Sequence, residues 1–189
     1  MAQDALAALS LDRLMVVPAG QQPLKTTQHA DAGHRLAMVQ RCFDGVPKVA
    51  VDPLEIERGG LSFMVETVET FRQRWPSAEL YLLVGEDVVA TMPRWRHPER
   101  LLSMVHVVVW QRATADATTS ASPSQHDTPD IPVQRLALRR VDVSSTEVRE
   151  RVRAGRSIRG FVTDGVADYI ASTGLYLREP IAADVSVRA

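Results

Sequence analysis

The chain has 189 residues, 45% of them hydrophobic, a formal net charge of −1 and one cysteine. That length suits a single domain able to bury a core without a structural metal, and the lone Cys42 excludes an internal disulfide or a cysteine-cluster zinc site. The near-neutral balance gives no reason to expect nucleic acid or an anionic membrane as partner, and the sequence lacks both a signal peptide and an apolar run of bilayer length. The cytoplasm is therefore the default compartment, and self-association as a homo-oligomer stays open.

In chain order, residues 14–17 form a short apolar run closed by Pro18-Ala19-Gly20, read as a buried strand ending in a loop. A helix over 31–43 carries Leu36, Ala37, Val39 and Cys42 at helical spacing, with Cys42 read as a small buried hydrophobe. A strand at 49–54 and a helix at 62–75 follow. Residues 80–84 form another strand, ending at Gly85. A turn-rich stretch through Met92-Pro93-Arg94-Trp95 and 98–102 precedes 105–110, a β-branched run expected to be covered on both faces. Residues 113–130 are mostly Ala, Thr, Ser, Asp and Pro, the composition of a mobile surface loop. A strand at 136–143, a helix from the Ser/Thr run to about 154, a terminal helix at 164–172 and a disordered tail at 179–189 complete the chain. This alternation predicts one α/β domain over 1–189, a Rossmann-like parallel sheet with flanking helices, whose ligands bind at the carboxyl ends of the strands. Pro18-Ala19-Gly20, Gly85-Glu86-Asp87 and Ser144-Ser145-Thr146 are expected at such ends.

The run Val143-Ser144-Ser145-Thr146-Glu147-Val148-Arg149 puts hydroxyls and an arginine at a predicted helix start. Free amides, the helix dipole, hydroxyl donors and a fixed charge one turn on are how proteins hold phosphates. The same spacing, Ser144-x-x-Glu147, is also a capping box that satisfies the helix's own amides. Asp87 has a similar pair of readings, as an acceptor for ribose hydroxyls or as a helix cap, and Trp95 is either a base platform or a packing residue at a helix edge.

Taken together, these blocks resemble the nicotinate-nucleotide adenylyltransferases of NAD synthesis, within the H-x-G-H nucleotidyltransferase superfamily. Val143 to Arg149 resembles the family's I-S-S-T-x-x-R, and Leu83-Val84-Gly85-Glu86-Asp87 its strand and G-x-D turn. Met92-Pro93-Arg94-Trp95 is similar to its tryptophan segment, Val17 to Lys25 to its V-P-x-x-x-x-P-H-K loop, and Ser62-Phe63-Met64 to its S-Y-T. Val166-Ala167-Asp168-Tyr169-Ile170 follows its V-x-x-Y-I helix.

The resemblance implies AMP transfer from ATP to nicotinate mononucleotide, with Mg²⁺ bridging phosphates and no metal ligands from the protein itself. It implies that Ser145, Thr146 and Arg149 act on the leaving pyrophosphate, that Gly85, Asp87 and Ser144 join them in binding ATP, and that Lys25, Ser62, Phe63, Met64 and Trp95 hold the acceptor. Relatives acting on nicotinamide mononucleotide or phosphopantetheine, or a catalytically inactive nucleotide-binding or interaction module, are the alternatives.

Three departures qualify it. Leu24 stands where the family has histidine, leaving Lys25 for a substrate phosphate, and Thr163 replaces a proline at the terminal helix start, where threonine caps well. Neither G-G-T-F-D-P nor H-x-G-H occurs; His29 and Gly33-His34 have the wrong spacing and read as surface-loop and helix-start residues. The expectation is an absent first strand, a sheet interrupted between 14–17 and 80–84, and an internal start with about twenty further residues upstream, one strand and its turn. Without that segment, adenylyltransferase activity and stability are expected to be poor.

Overall fold

The computed structural model describes residues 1–23, 29–112, 131–138 and 143–177. The expected loop at 113–130, the tail at 179–189 and Lys25 lie outside these residues. The described chain divides into two compact units, one from residues 1–12 and 63–141, the other from 13–62 and 142–189.

The first unit is built on three parallel strands in the order β3 (Tyr81–Gly85), β4 (His106–Arg112), β5 (Val133–Leu138). Leu83 pairs with Val108 and Gly85 with Trp110, so β3 ends level with Trp110 while β4 runs on to Arg112. Val107, Val108 and Val109 are 3%, 0% and 1% exposed, the double-sided burial expected of a continuous β-branched strand between two parallel neighbours. On one face, Val84, Val107 and Val109 pack with Val89 of α5 (Glu86–Val89) and with Met92, which opens a 3₁₀ turn over Met92–Arg94. A second cluster joins Val65 and Val68 of α4 (Met64–Arg74) to Leu101 of α6 (Pro98–Leu102). The amino-terminal helix α1 (Ala2–Ala8) packs on β5 and buries Ala5 and Leu6.

The second unit pairs β1 (Leu14–Val16) with β2 (Val49–Val51), also in parallel. Around them lie α2 (Ala32–Phe43), α3 (Leu54–Arg58), α7 (Ser145–Arg153) and α8 (Asp164–Thr173). Val148 of α7, Ile158, and Val166, Ala167 and Ile170 of α8 form its core. Asp31 caps α2 by accepting the His34 N–H at 2.7 Å. His34 does more than start the helix: its Nδ1 shares a 2.8 Å hydrogen bond with the Tyr169 hydroxyl of α8, whose ring also lies 4.2 Å under the Arg41 guanidinium. Gly174 ends α8 at φ 64°, where a glycine carries no steric penalty.

Among the described residues β1–β2 and β3–β4–β5 form separate sheets. Several boundaries shift. The strand expected over 49–54 ends at Val51, because Asp52 Oδ1 accepts the Leu54 N–H at 3.0 Å and turns the chain into α3. β5 begins at Val133 rather than 136, and 139–142 lie outside the described residues. Thr163 occupies the amino cap of α8 without a side-chain cap bond. Cys42 is exposed rather than buried; α2 contributes Met38 to the core, and Cys42 lies one turn on, at the helix end.

Leu101 is 1% exposed at the centre of the second cluster. Leu101→Ala is expected to lower unfolding stability by about 2–5 kcal/mol, the usual cost of a cavity at a fully buried leucine, read as a lower urea midpoint at constant slope.

Candidate active site

In the first unit, β3 closes on Gly85, which is buried and caps α5, and the chain turns at once into Glu86 and the exposed Asp87. Asp87 is therefore in the first turn of α5 and not its cap. Gly85 has an ordinary φ of −74°, so left-handed backbone does not demand the glycine. Space does: a Cβ at residue 85 would stand 2.6 Å from Asp87 Oδ1 and 3.4 Å from Trp110 Cζ2. The missing side chain lets the Asp87 carboxylate lie back over the strand end.

Trp95 follows the 3₁₀ turn, half-buried against the same core as Phe63 and Met64, and its Nε1–H donates to Thr91 Oγ1 at 3.1 Å. The structure thus gathers Phe63, Met64 and Trp95 beside Leu101. Sequence reading missed Arg96, whose guanidinium covers the Phe63 ring at 4.6 Å while Nη1 donates to Glu66 Oε1 at 3.1 Å. An alternation of basic and acidic residues carries no local signal for such a stack.

In the second unit, Ser144 is the amino cap of α7, its Oγ accepting the Glu147 N–H at 3.1 Å. The cap reading holds for this side chain. Ser145 and Thr146, both exposed, then occupy the first turn, and Arg149 Nη2 donates to Thr146 Oγ1 at 3.1 Å. Val148 points inward at 8% exposure and fixes which face of α7 is presented. Arg149 and Arg153 act on the exposed His29: partial desolvation first, then these two positive charges, hold its imidazole below its ordinary value. Burial raises the Tyr176 phenol, and Arg149 and Arg35 pull it back down. A positive field therefore surrounds the start of α7, with His29 inside it, a placement its spacing did not reveal.

Ser62 belongs to this second unit and does not begin the helix expected at 62–75. Its Oγ accepts the Gly20 N–H at 2.8 Å and its own N–H donates to the Gln21 carbonyl at 2.8 Å. From the other side the Arg35 guanidinium donates from Nη1 to the Ala19 carbonyl and from Nη2 to the Gly20 carbonyl. Arg35 Nε is buried without a partner among the described residues. A Cβ at Gly20 would stand 2.7 Å from the Glu55 carbonyl, so only glycine fits this turn. The loop after β1 is thus clamped just before Lys25.

A parallel α/β arrangement with a hydroxyl-rich, arginine-bearing helix start is the outline of a nucleotidyltransferase, and the cytidylyltransferase-like family pattern matches residues 1–151. A protein of Gemmatimonas aurantiaca is 58% identical over 183 residues, covering 95% of this chain and 85% of that protein. One from Herpetosiphon aurantiacus is 34% identical over 179 residues, covering 94% and 89%. Both carry the name probable nicotinate-nucleotide adenylyltransferase. The fold is that of the nicotinic acid mononucleotide adenylyltransferase of Plasmodium falciparum, solved in complex with NaAD, with a TM-score of 0.69 at 16% identity over 93% of this chain and 88% of that one. The chain belongs to the nicotinate-nucleotide adenylyltransferase family.

Arg35→Ala removes two charge-assisted hydrogen bonds from the Ala19-Gly20 turn and is expected to cost about 1.5–3 kcal/mol in urea denaturation. Arg35→Lys should recover only part of that, because an ammonium cannot span two successive carbonyls as a planar guanidinium does.

Proposed function

We propose that this protein transfers AMP from ATP to nicotinate mononucleotide, releasing pyrophosphate and forming deamido-NAD in the cytoplasm. The observation that carries the reading is the start of α7, where the helix's amides, the exposed Ser145 and Thr146 and the guanidinium of Arg149 converge in a positive field. Such a transfer is governed by charge neutralisation and in-line alignment more than by a protein nucleophile.

Ser144 satisfies one helix amide with its own hydroxyl, which preorganises the first turn and leaves Ser145 and Thr146 to donate to the β- and γ-phosphates. Arg149, already turned onto Thr146, needs little reorganisation to meet the leaving pyrophosphate. Asp87, whose carboxylate lies back over Gly85 and is exposed, accepts ribose hydroxyls. Trp95 offers its ring to the electron-poor pyridine, and Phe63 and Met64, packed on the same cluster, line the acceptor's base. Ser62 acts through the Gly20 turn, and Lys25 meets the acceptor's phosphate.

Among the described residues no group of three His, Cys, Asp or Glu side chains is placed to hold a metal ion. Phosphate oxygens and water would be the ligands of Mg²⁺, which would supply charge neutralisation across the phosphates.

Arg149 and the α7 amides then meet the charge that develops on the leaving pyrophosphate. Calorimetry of the 189-residue chain is expected to show ATP binding in the presence of Mg²⁺, weakened about tenfold or more by Arg149→Ala. Pyrophosphate release should favour nicotinate over nicotinamide mononucleotide. ATP binding with no turnover on any acceptor would leave the inactive nucleotide-binding module as the reading, and no ATP binding would defeat both.

His29 provides a pH readout. Its pKa is depressed in the folded protein, so its contribution to stability is present above the unfolded value and lost as pH falls through the folded one. An anion seated by Arg149 and Arg153 cancels part of the field that lowers it. Pyrophosphate should therefore move the His29 titration to higher pH in an NMR titration; an unmoved or lowered midpoint would place the anion elsewhere.

A further inference from the structure

Trp110 has no role in the reading above, yet its position is unusual for a strand tryptophan. It follows Val107, Val108 and Val109, each 3% exposed or less, but is only half-buried and joins none of the three core clusters. It sits opposite Gly85 in the β3–β4 register, and residues level across such a pair point to one face. The indole carbons Cζ2 and Cε2 lie 3.4 and 3.7 Å from where a Cβ of residue 85 would stand, and Asp87 Oδ1 lies 2.6 Å from the same point. Without a Cβ there, the Asp87 carboxylate and the Trp110 indole both close on Gly85 and together wall the end of the strand.

That pair of walls has a chemical meaning. A carboxylate accepts from neighbouring hydroxyls, while an indole offers a flat apolar surface on which a heteroaromatic ring stacks. A nucleoside carries both complements a few ångströms apart, on its ribose and its base. We propose that Trp110 is a stacking platform for the adenine of the ATP whose ribose Asp87 holds, a role that rests on the nucleotide reading of Asp87. Gly85 is then a positioning residue: its lack of a Cβ lets the carboxylate and the ring lie close together at the strand end. A competing occupant with matching chemistry is an organic cation, drawn by the carboxylate and the face of the indole.

The test needs no turnover. ATP is titrated in the presence of Mg²⁺ and without acceptor into the 189-residue chain, whose only tryptophans are Trp75, Trp95 and Trp110, while indole fluorescence is followed. The wild-type chain should show an ATP-dependent change that Trp110→Phe abolishes, since Trp75 and Trp95 remain. In calorimetry Trp110→Leu should weaken ATP about fivefold or more, the range of base–aromatic stacking, whereas Trp110→Phe should retain most of the affinity. Adenosine should compete, and inorganic triphosphate should not reproduce the fluorescence change. Persistence of the change in Trp110→Phe, unchanged ATP affinity in Trp110→Leu at an unchanged melting temperature, no ATP-dependent change in the wild-type chain, or the same change produced by tetramethylammonium in place of ATP would each overturn the proposal. Adenylyl transfer with Trp110-independent ATP affinity would sink this inference and leave the proposed function standing. Trp110-dependent ATP binding without any transfer would do the reverse.

Discussion

The parallel pairing of β3 with β4 is the constraint on which the first unit's chemistry depends. Because β4 is buried on both faces, its residues are fixed in register as well as in depth, and a one-residue slip would turn Val107 and Val109 off their cluster. The register places Gly85 level with Trp110 and lets the chain leave β3 directly into Asp87. A core requirement, filling both faces of a strand with valine, thereby sets the position of polar groups at the carboxyl edge. That is the general arrangement in parallel α/β proteins, where loops after the strands carry the ligands.

The second unit solves a different problem. Its two strands are short, three residues each, and cannot by themselves hold the loop that follows β1. Side chains do it instead: Arg35 grips two successive carbonyls, Ser62 takes the intervening amide, and the close approach of Gly20 to the Glu55 carbonyl leaves no room for a Cβ. Arg35 Nε is buried without a partner among the described residues, a cost offset by the donors the same guanidinium supplies to two backbone carbonyls. At α7 the arrangement is economical as well. The Ser144 cap and the outward Ser145 and Thr146 are successive residues serving separate purposes, and the inward Val148 orients them.

Much of this was legible in the sequence. The apolar runs, the Ser/Thr helix start, the G-x-D turn and the order of the blocks are local patterns, and local patterns survive without knowledge of packing. What escaped notice depended on long-range partners. Ser62 reads as a helix start or a substrate contact, and only the fold reveals that its hydroxyl meets the amide of Gly20. Trp110 reads as the end of a covered strand, and only the register brings it against a glycine. Cys42 fits a helical apolar stripe in sequence, but it stands exposed in the last turn of α2.

The sequence by itself determined the fold class and the family, because periodicity, helix caps and motif spacing are encoded by residues a few positions apart. The tertiary structure alone decided which residues brace a loop and which face solvent, and it brought in Arg35 and Arg96. Those assignments rest on contacts between segments far apart in the chain, and such contacts exist only once the strands have taken their register and the helices their buried faces.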